Sequence, residues 1–192
     1  MRELNATEFI DVTFEDLDLL AVDFTGKEFE RCTFRRCKLP ESRWIRARLE
    51  DCVFKTCDLS RMMPRTMELH GVTFQDTRLS GVEFAELGLL PIVTFNGCDL
   101  RYASFTNLRL RATAFVKCTM REVNFVDVDL TKADFTDTDL TGGTFQRCVL
   151  HECNLTRATS VFVDPQQNRV KGLRVSLEAA VTLAQSFGIV VE

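Results

Sequence analysis

Large apolar side chains recur at every fifth residue along most of this chain, from Leu4, Phe9, Phe14, Leu19, Phe24 and Phe29 through Trp44 and Phe54 to Leu89. A helix places its apolar stripe near a period of 3.6 and a strand at 2.0, so neither makes this spacing. After one extra residue the count resumes at Phe95 and runs through Phe105, Phe115, Phe125, Phe135 and Phe145 to Leu155. The residue two before each large one is mostly small, as at Cys32, Cys37, Ser42, Ala47, Cys52 and Cys57, and again at Cys98, Ala103, Cys118, Ala133, Cys148 and Cys153. Two residues apart on extended backbone means the same side, so every unit of five sends one large and one small side chain inward. A short unit repeated in register builds a solenoid.

Positions twenty apart sort the large residues into columns. Phe14, Phe34, Phe54 and Phe74 make one, Leu19, Leu39, Leu59 and Leu79 a second, Phe24, Trp44 and Phe84 a third, and Phe29, Leu49, Leu69 and Leu89 a fourth. Four sides per coil follow, with like residues stacked at the sheet spacing of about 4.8 Å. About eight coils would give a rod of about 38 Å.

The eight cysteines all fall in the small inward register, and none shows the two-residue spacing of a zinc site, so they read as small core residues. His70 and His151 each follow a large register residue and should point outward, with no nucleophile beside them. Asp99, Asp129, Asp134 and Asp139 precede a large residue, where a short acid bonds neighbouring turn backbone. No phosphate-cradling loop or metal motif is present. The chain reads as a binding surface: no enzyme, no cofactor and no metal are expected.

A 45% hydrophobic content is ample for one core, no stretch is long and apolar enough for a membrane span, and the first residues lack a secretory pattern. A cytoplasmic protein without membrane contact is expected. The net charge of -4 hides a segregation along the chain. Residues 1–30 carry nine acids against two bases, residues 31–70 ten bases against five acids, and residues 121–160 seven acids against four bases. Direct nucleic-acid binding is not expected.

Two interruptions and a tail break the pattern. Residues 85–93 contain one extra residue, a glycine and a proline, and should bulge from the coil as a contact loop, with Glu86, Leu87, Leu89, Leu90 and Pro91 as candidates. Pro64 stands where a ring or leucine belongs, and Lys27 occupies the small register, which suggests an imperfect first coil. Residues 1–160 form the repeat domain and 161–192 a capping and dimerisation module. There Ser176 is placed to cap a helix whose apolar face is Leu177, Ala180, Val181, Ala184 and Phe187, Gly188 ends it, and Ile189, Val190 and Val191 should form a short strand. Such a self-complementary apolar cap favours a two-fold dimer.

The stretches Cys98-Asp99-Leu100-Arg101, Ala133-Asp134-Phe135-Thr136 and Cys153-Asn154-Leu155-Thr156 resemble the unit of the pentapeptide-repeat family. That resemblance implies an all-β solenoid, a right-handed quadrilateral β-helix with a short C-terminal helix and strand for dimerisation. Asp164-Pro165, Gly172-Leu173-Arg174-Val175 and the ending Phe187-Gly188-Ile189-Val190-Val191 look like the tail of the Qnr-, MfpA-, AlbG- and McbG-like subgroup. The subgroup implies a homodimer that shields DNA gyrase, and topoisomerase IV with it, from a quinolone or peptide poison. It would act by DNA mimicry or by a contact that releases the poison. Mimicry would use the acids Asp127, Asp129, Asp134, Asp137 and Asp139, although the basic run from Arg31 to Arg48 is wrong for a uniform mimic. The alternative is a general interaction scaffold with a different partner, because the repeat encodes shape and not function.

Overall fold

The computed structural model describes residues 4–191, and they wind into a four-sided parallel solenoid of about eight turns that ends in one short helix. Each side is named here for its first large inward residue. On the Phe9 face, strands Glu8–Ile10, Glu28–Glu30, Arg48–Glu50 and Glu68–His70 pair in parallel, each residue on the one twenty further along. The Phe14 face holds six strands, from Thr13–Glu15 to Ala114–Val116. The Leu19 face is joined by single-residue bridges from Asp18 through Lys38, Asp58, Arg78, Asp99 and Thr119 to Asp139. The Phe24 face carries strands from Glu83–Ala85 to Thr144–Gln146.

The inward columns fill the shaft completely. Phe34 stacks on Phe14 at 4.6 Å and on Phe54 at 4.5 Å between ring centroids, and Phe105 lies 4.7 Å from Phe84 and 4.9 Å from Phe125. Rings on adjacent faces meet edge to face, as Phe105 and Phe115 do at 5.6 Å, which suits the ring quadrupole. Trp44 is fully buried, and its indole N–H donates to Ser42 Oγ at 2.8 Å. At the corners the backbone enters the left-handed region, as at Asp11, Asp16 and Asn107. The local cost of that geometry is offset by coil-to-coil hydrogen bonds such as Asp11 N to Glu30 O at 3.0 Å.

The small register behaves as expected. All eight cysteines are buried and free. Seven of the eight thiols donate to a carbonyl of the coil below, as Cys37 Sγ does to Phe14 O at 3.4 Å and Cys57 Sγ to Phe34 O at 3.3 Å. Thr77 and Thr138 take over the same bond in the same column. Asn168 does so near the end, its amide bonding Phe145 O and accepting from Cys148 N, both at 2.9 Å. Coil pairing continues past residue 160, with Val149 opposite Arg169 and Asn154 opposite Arg174.

Three expectations change. Pro64 is buried in its column, but it has no N–H to repeat the bonds that Phe24 N and Trp44 N donate to the next coil, and the pairing on that face lapses between Met63 and Glu83. Lys27 does not enter the core: its ammonium turns back to Ala6 O at 2.6 Å, 5.8 Å from the Phe9 ring centroid. The helix spans Leu177–Ser186, with Ser176 Oγ accepting from Ala179 N and Gly188 in the left-handed region, but Ile189, Val190 and Val191 form no strand. A strand needs a neighbouring edge, and among the described residues none pairs with this segment.

Candidate interaction surface

The extra residue between the two halves of the repeat is accommodated on the Phe9 face, midway along the rod. Gly88 N still donates to Met67 O at 3.0 Å, as the register requires, but Leu69 O is taken by Ile92 N at 3.0 Å where residue 90 would serve in an unbroken coil. The segment between is thrown outward. Leu89 is 89% exposed, Leu90 64% and Ile92 54%, whereas Leu87 is only 8% exposed and Pro91 is buried.

Of the five contact candidates in this segment, Glu86, Leu89 and Leu90 are therefore surface residues, and Leu87 and Pro91 are core. A strict count of five puts Leu89 inside. The chain instead keeps Leu87 in the small column and lets Pro91, whose ring lacks a donor, fill the wall. Ile92 is the exposed residue that the count misses. Its signal lay in the run Leu89-Leu90-Pro91-Ile92, which holds more apolar residues than one inward pair can use.

Two depressions flank the loop. One, of about 440 Å³, lies toward the N-terminus between Leu89 and the side chains of Arg48, Glu50, Glu68 and His70. The other, of about 480 Å³, lies toward the C-terminus and brings Glu86 and Leu89 together with Arg109, Asp127, Asp129 and Arg147. Asp127 and Asp129 thus share a surface with the loop. Asp134 sits on the Phe14 face and Asp139 on the Leu19 face, with Asp137 at the corner between them, so the five acids form no single patch.

Nor are four of those acids free charges. Arg147 holds Asp127 at 2.7 Å, Arg157 holds Asp137 at 2.6 Å, and Arg121 holds Asp139 at 2.6 Å. Arg111 stands 3.9 Å from Asp129. The hydrogen bond from Arg147 keeps the Asp127 carboxyl below the usual range. At Asp139, burial raises the pKa, but hydrogen bonds from Thr141 and Arg121 outweigh it and hold the carboxyl at about 2. Asp129, Asp134 and Asp139 each bind the backbone N–H and hydroxyl of the threonine two residues on, the turn-closing task expected of them.

The same pairing dissolves the charge segregation seen in the linear sequence. Residues twenty apart are neighbours, so the acids of the first coil meet the bases of the second. Asp11 pairs with Arg31 at 2.7 Å, Asp16 with Arg36 at 2.8 Å, and Asp18 with Lys38 at 3.1 Å.

Nothing in this arrangement suggests chemistry. Among the described residues no group of three His, Cys, Asp or Glu side chains could hold a metal, and no helix is long and apolar enough to cross a membrane. Burial pushes the Cys52 thiol up to about 11 and the Cys153 thiol up to about 12, which leaves both neutral and unreactive.

The dimerisation candidates lie on a helix that touches the rod through Ala179 and Leu183, which close an apolar hollow with Val161, Val163 and Leu173. Leu177 is 82% exposed, Ala180, Phe187, Ile189 and Val191 are exposed, and Val181 and Ala184 are half-buried. Among the described residues this apolar side has no partner.

Known proteins agree with this geometry. The family described as pentapeptide repeat region matches residues 27–105 and 90–155. The quinolone resistance pentapeptide repeat protein QnrB96 of Scandinavium goeteborgense is 30% identical over 103 residues, which is 48% of this chain and 48% of the relative. The match thus spans about half of that relative's length. Full-length QnrB1, a plasmid-mediated fluoroquinolone resistance protein, superposes with a TM-score of 0.51 at 21% identity over 92% of this chain and 100% of its own. A trypsin-treated QnrB1 variant gives 0.53 at 22% identity over 94% and 100%.

Proposed function

This chain belongs to the pentapeptide-repeat family, and from that premise we propose that it protects a type II topoisomerase from a quinolone or peptide poison. DNA gyrase is the first partner and topoisomerase IV the second, and protection works by contact and not catalysis. The observation that carries this reading is the loop on the Phe9 face, where Leu89, Leu90 and Ile92 stand exposed in an otherwise regular wall. Exposed apolar residues on a rigid frame are what a protein partner buries. The likeness to proteins named for quinolone resistance supports the partner class.

Uniform DNA mimicry is the weaker mechanism, because Asp127, Asp137 and Asp139 are each held by an arginine one coil away. A compensated ion pair offers little field at the distance of a second macromolecule. Contact through the loop needs no net negative rod. The protector acts in the cytoplasm, where the enzyme works. Two copies join through the apolar side of the C-terminal helix, which doubles the loops presented to a two-fold enzyme.

Expression in a fluoroquinolone-sensitive bacterium tests the reading. The wild type should raise the inhibitory concentration several-fold, and a Leu89→Ser/Leu90→Ser variant should return it to the control level. Equal sensitivity with and without the wild-type protein would remove the proposal.

A further inference from the structure

The Phe9 face differs from the alternating Leu19 face in how its charges are arranged. The Leu19 face alternates Asp18, Lys38, Asp58, Arg78 and Asp99, and on the Phe14 face Arg35 lies between Glu15 and Lys55. On the Phe9 face like charges are stacked. Glu8 lies directly opposite Glu28 and Glu30 directly opposite Glu50, and Arg48, the one base in these rows, lies between Glu28 and Glu68. Past the loop the sign reverses. Arg109, Arg111, Arg169 and Lys171 are exposed there, with Asp129 as the acid in the row. Among the described residues Glu8, Glu28, Glu50, Arg109, Arg169 and Lys171 have no ionic partner within 4.0 Å.

Like charges directly opposite in a sheet destabilise it, and Arg48, which follows Glu28 in the row, closes its ion pair with Glu68 instead, at 2.9 Å. The midpoints of the two charged zones are about five coil steps apart, or about 24 Å at the sheet spacing. That is well beyond the screening length of about 8 Å in physiological salt, so the zones do not cancel each other. Each presents its own sign outward, and Leu89 and Leu90 stand between them.

We infer that the Phe9 face is a polarised docking surface for a protein with the reverse order: a cationic strip against Glu8–Glu68, an apolar notch for Leu89 and Leu90, and an anionic strip against Arg109–Lys171. The inference rests on the topoisomerase reading for the partner's identity and adds to it the face used and the orientation along the rod. Only one orientation of a rod on such a surface matches both zones, so the charges set direction while the leucines supply contact.

Two pairs of reversals test it against the gyrase holoenzyme. Glu28→Lys/Glu50→Lys and Arg109→Glu/Arg169→Glu should each weaken binding about tenfold. The matched pairs Glu83→Lys/Glu122→Lys and Lys55→Glu/Lys117→Glu, with the same changes of net charge on other faces, should stay within about twofold. Glu28→Lys/Glu50→Lys should unfold within a few degrees of the wild type, because the change at 28 gains Glu8 as an opposite charge but sets a lysine against Arg48, and this separates lost docking from lost folding. Equal losses in test and matched pairs overturn the inference. If the wild type does not bind gyrase, the topoisomerase reading falls, and poly-L-lysine then decides the inference. Loss of poly-L-lysine binding confined to Glu28→Lys/Glu50→Lys upholds it, and the same loss in Glu83→Lys/Glu122→Lys overturns it.

Discussion

Arg147 reaches back across one coil to Asp127, with Nη2 2.7 Å from Oδ2 and Nε 2.8 Å from Oδ1, a bidentate bridge between residues twenty apart in sequence. The same step links Arg36 to Asp16 and Arg31 to Asp11. Such bridges tie coil to coil at the corners, and they convert a sequence with acidic and basic blocks into a surface of local pairs.

These bridges are exposed, so they add little to stability. Arg147→Ala should leave the midpoint of unfolding in urea titration nearly unchanged. A larger loss would mean that the corners depend on them.

The stacked rings are where stability resides. Phe105→Ala removes a fully buried ring held between Phe84 and Phe125 and should cost about 3–5 kcal/mol by the same titration. Leu89→Ser, at a residue 89% exposed, should change it by less than about 0.5 kcal/mol.

Asp139 supplies a signature in acid. Its folded carboxyl is held at about 2, below the unfolded value near 3.9, so its contribution is complete above about pH 4 and is lost as pH falls through about 2. The thermal midpoint should therefore show no pH dependence from this group between pH 7 and 5. Asp139→Asn should lower the midpoint by a few degrees at pH 7, and the gap between variant and wild type should close as pH falls from 4 to 2.

Thiol labelling reports the state of the shaft. All eight cysteines are buried, so a thiol reagent at pH 8 should modify the folded protein only as fast as it opens, and all eight at once in denaturant. Rapid labelling of native protein would contradict the packing described.

Much of this fold was legible in the chain because its period leaves one geometry. Phe14, Phe34, Phe54 and Phe74 could share a column only if twenty residues made one coil, and the structure places them so. The cysteines and the turn-closing aspartates followed from the same register. What the register could not give was any position where it lapses. It put Leu89 inside and Ile92 out of notice, since a count cannot say which side chain a loop will bury. It also listed the acids by position along the chain, when their meaning depends on the residue twenty away. The strand expected at Ile189–Val191 required an edge that the described residues do not supply.

The most direct test of the central claim is DNA supercoiling by purified gyrase with a fluoroquinolone, titrating in this protein and scoring both supercoiled and cleaved DNA. Protection through the loop predicts restored supercoiling with less cleaved DNA, and no restoration by Leu89→Ser/Leu90→Ser. Unchanged cleavage at every concentration of the wild-type protein would contradict it.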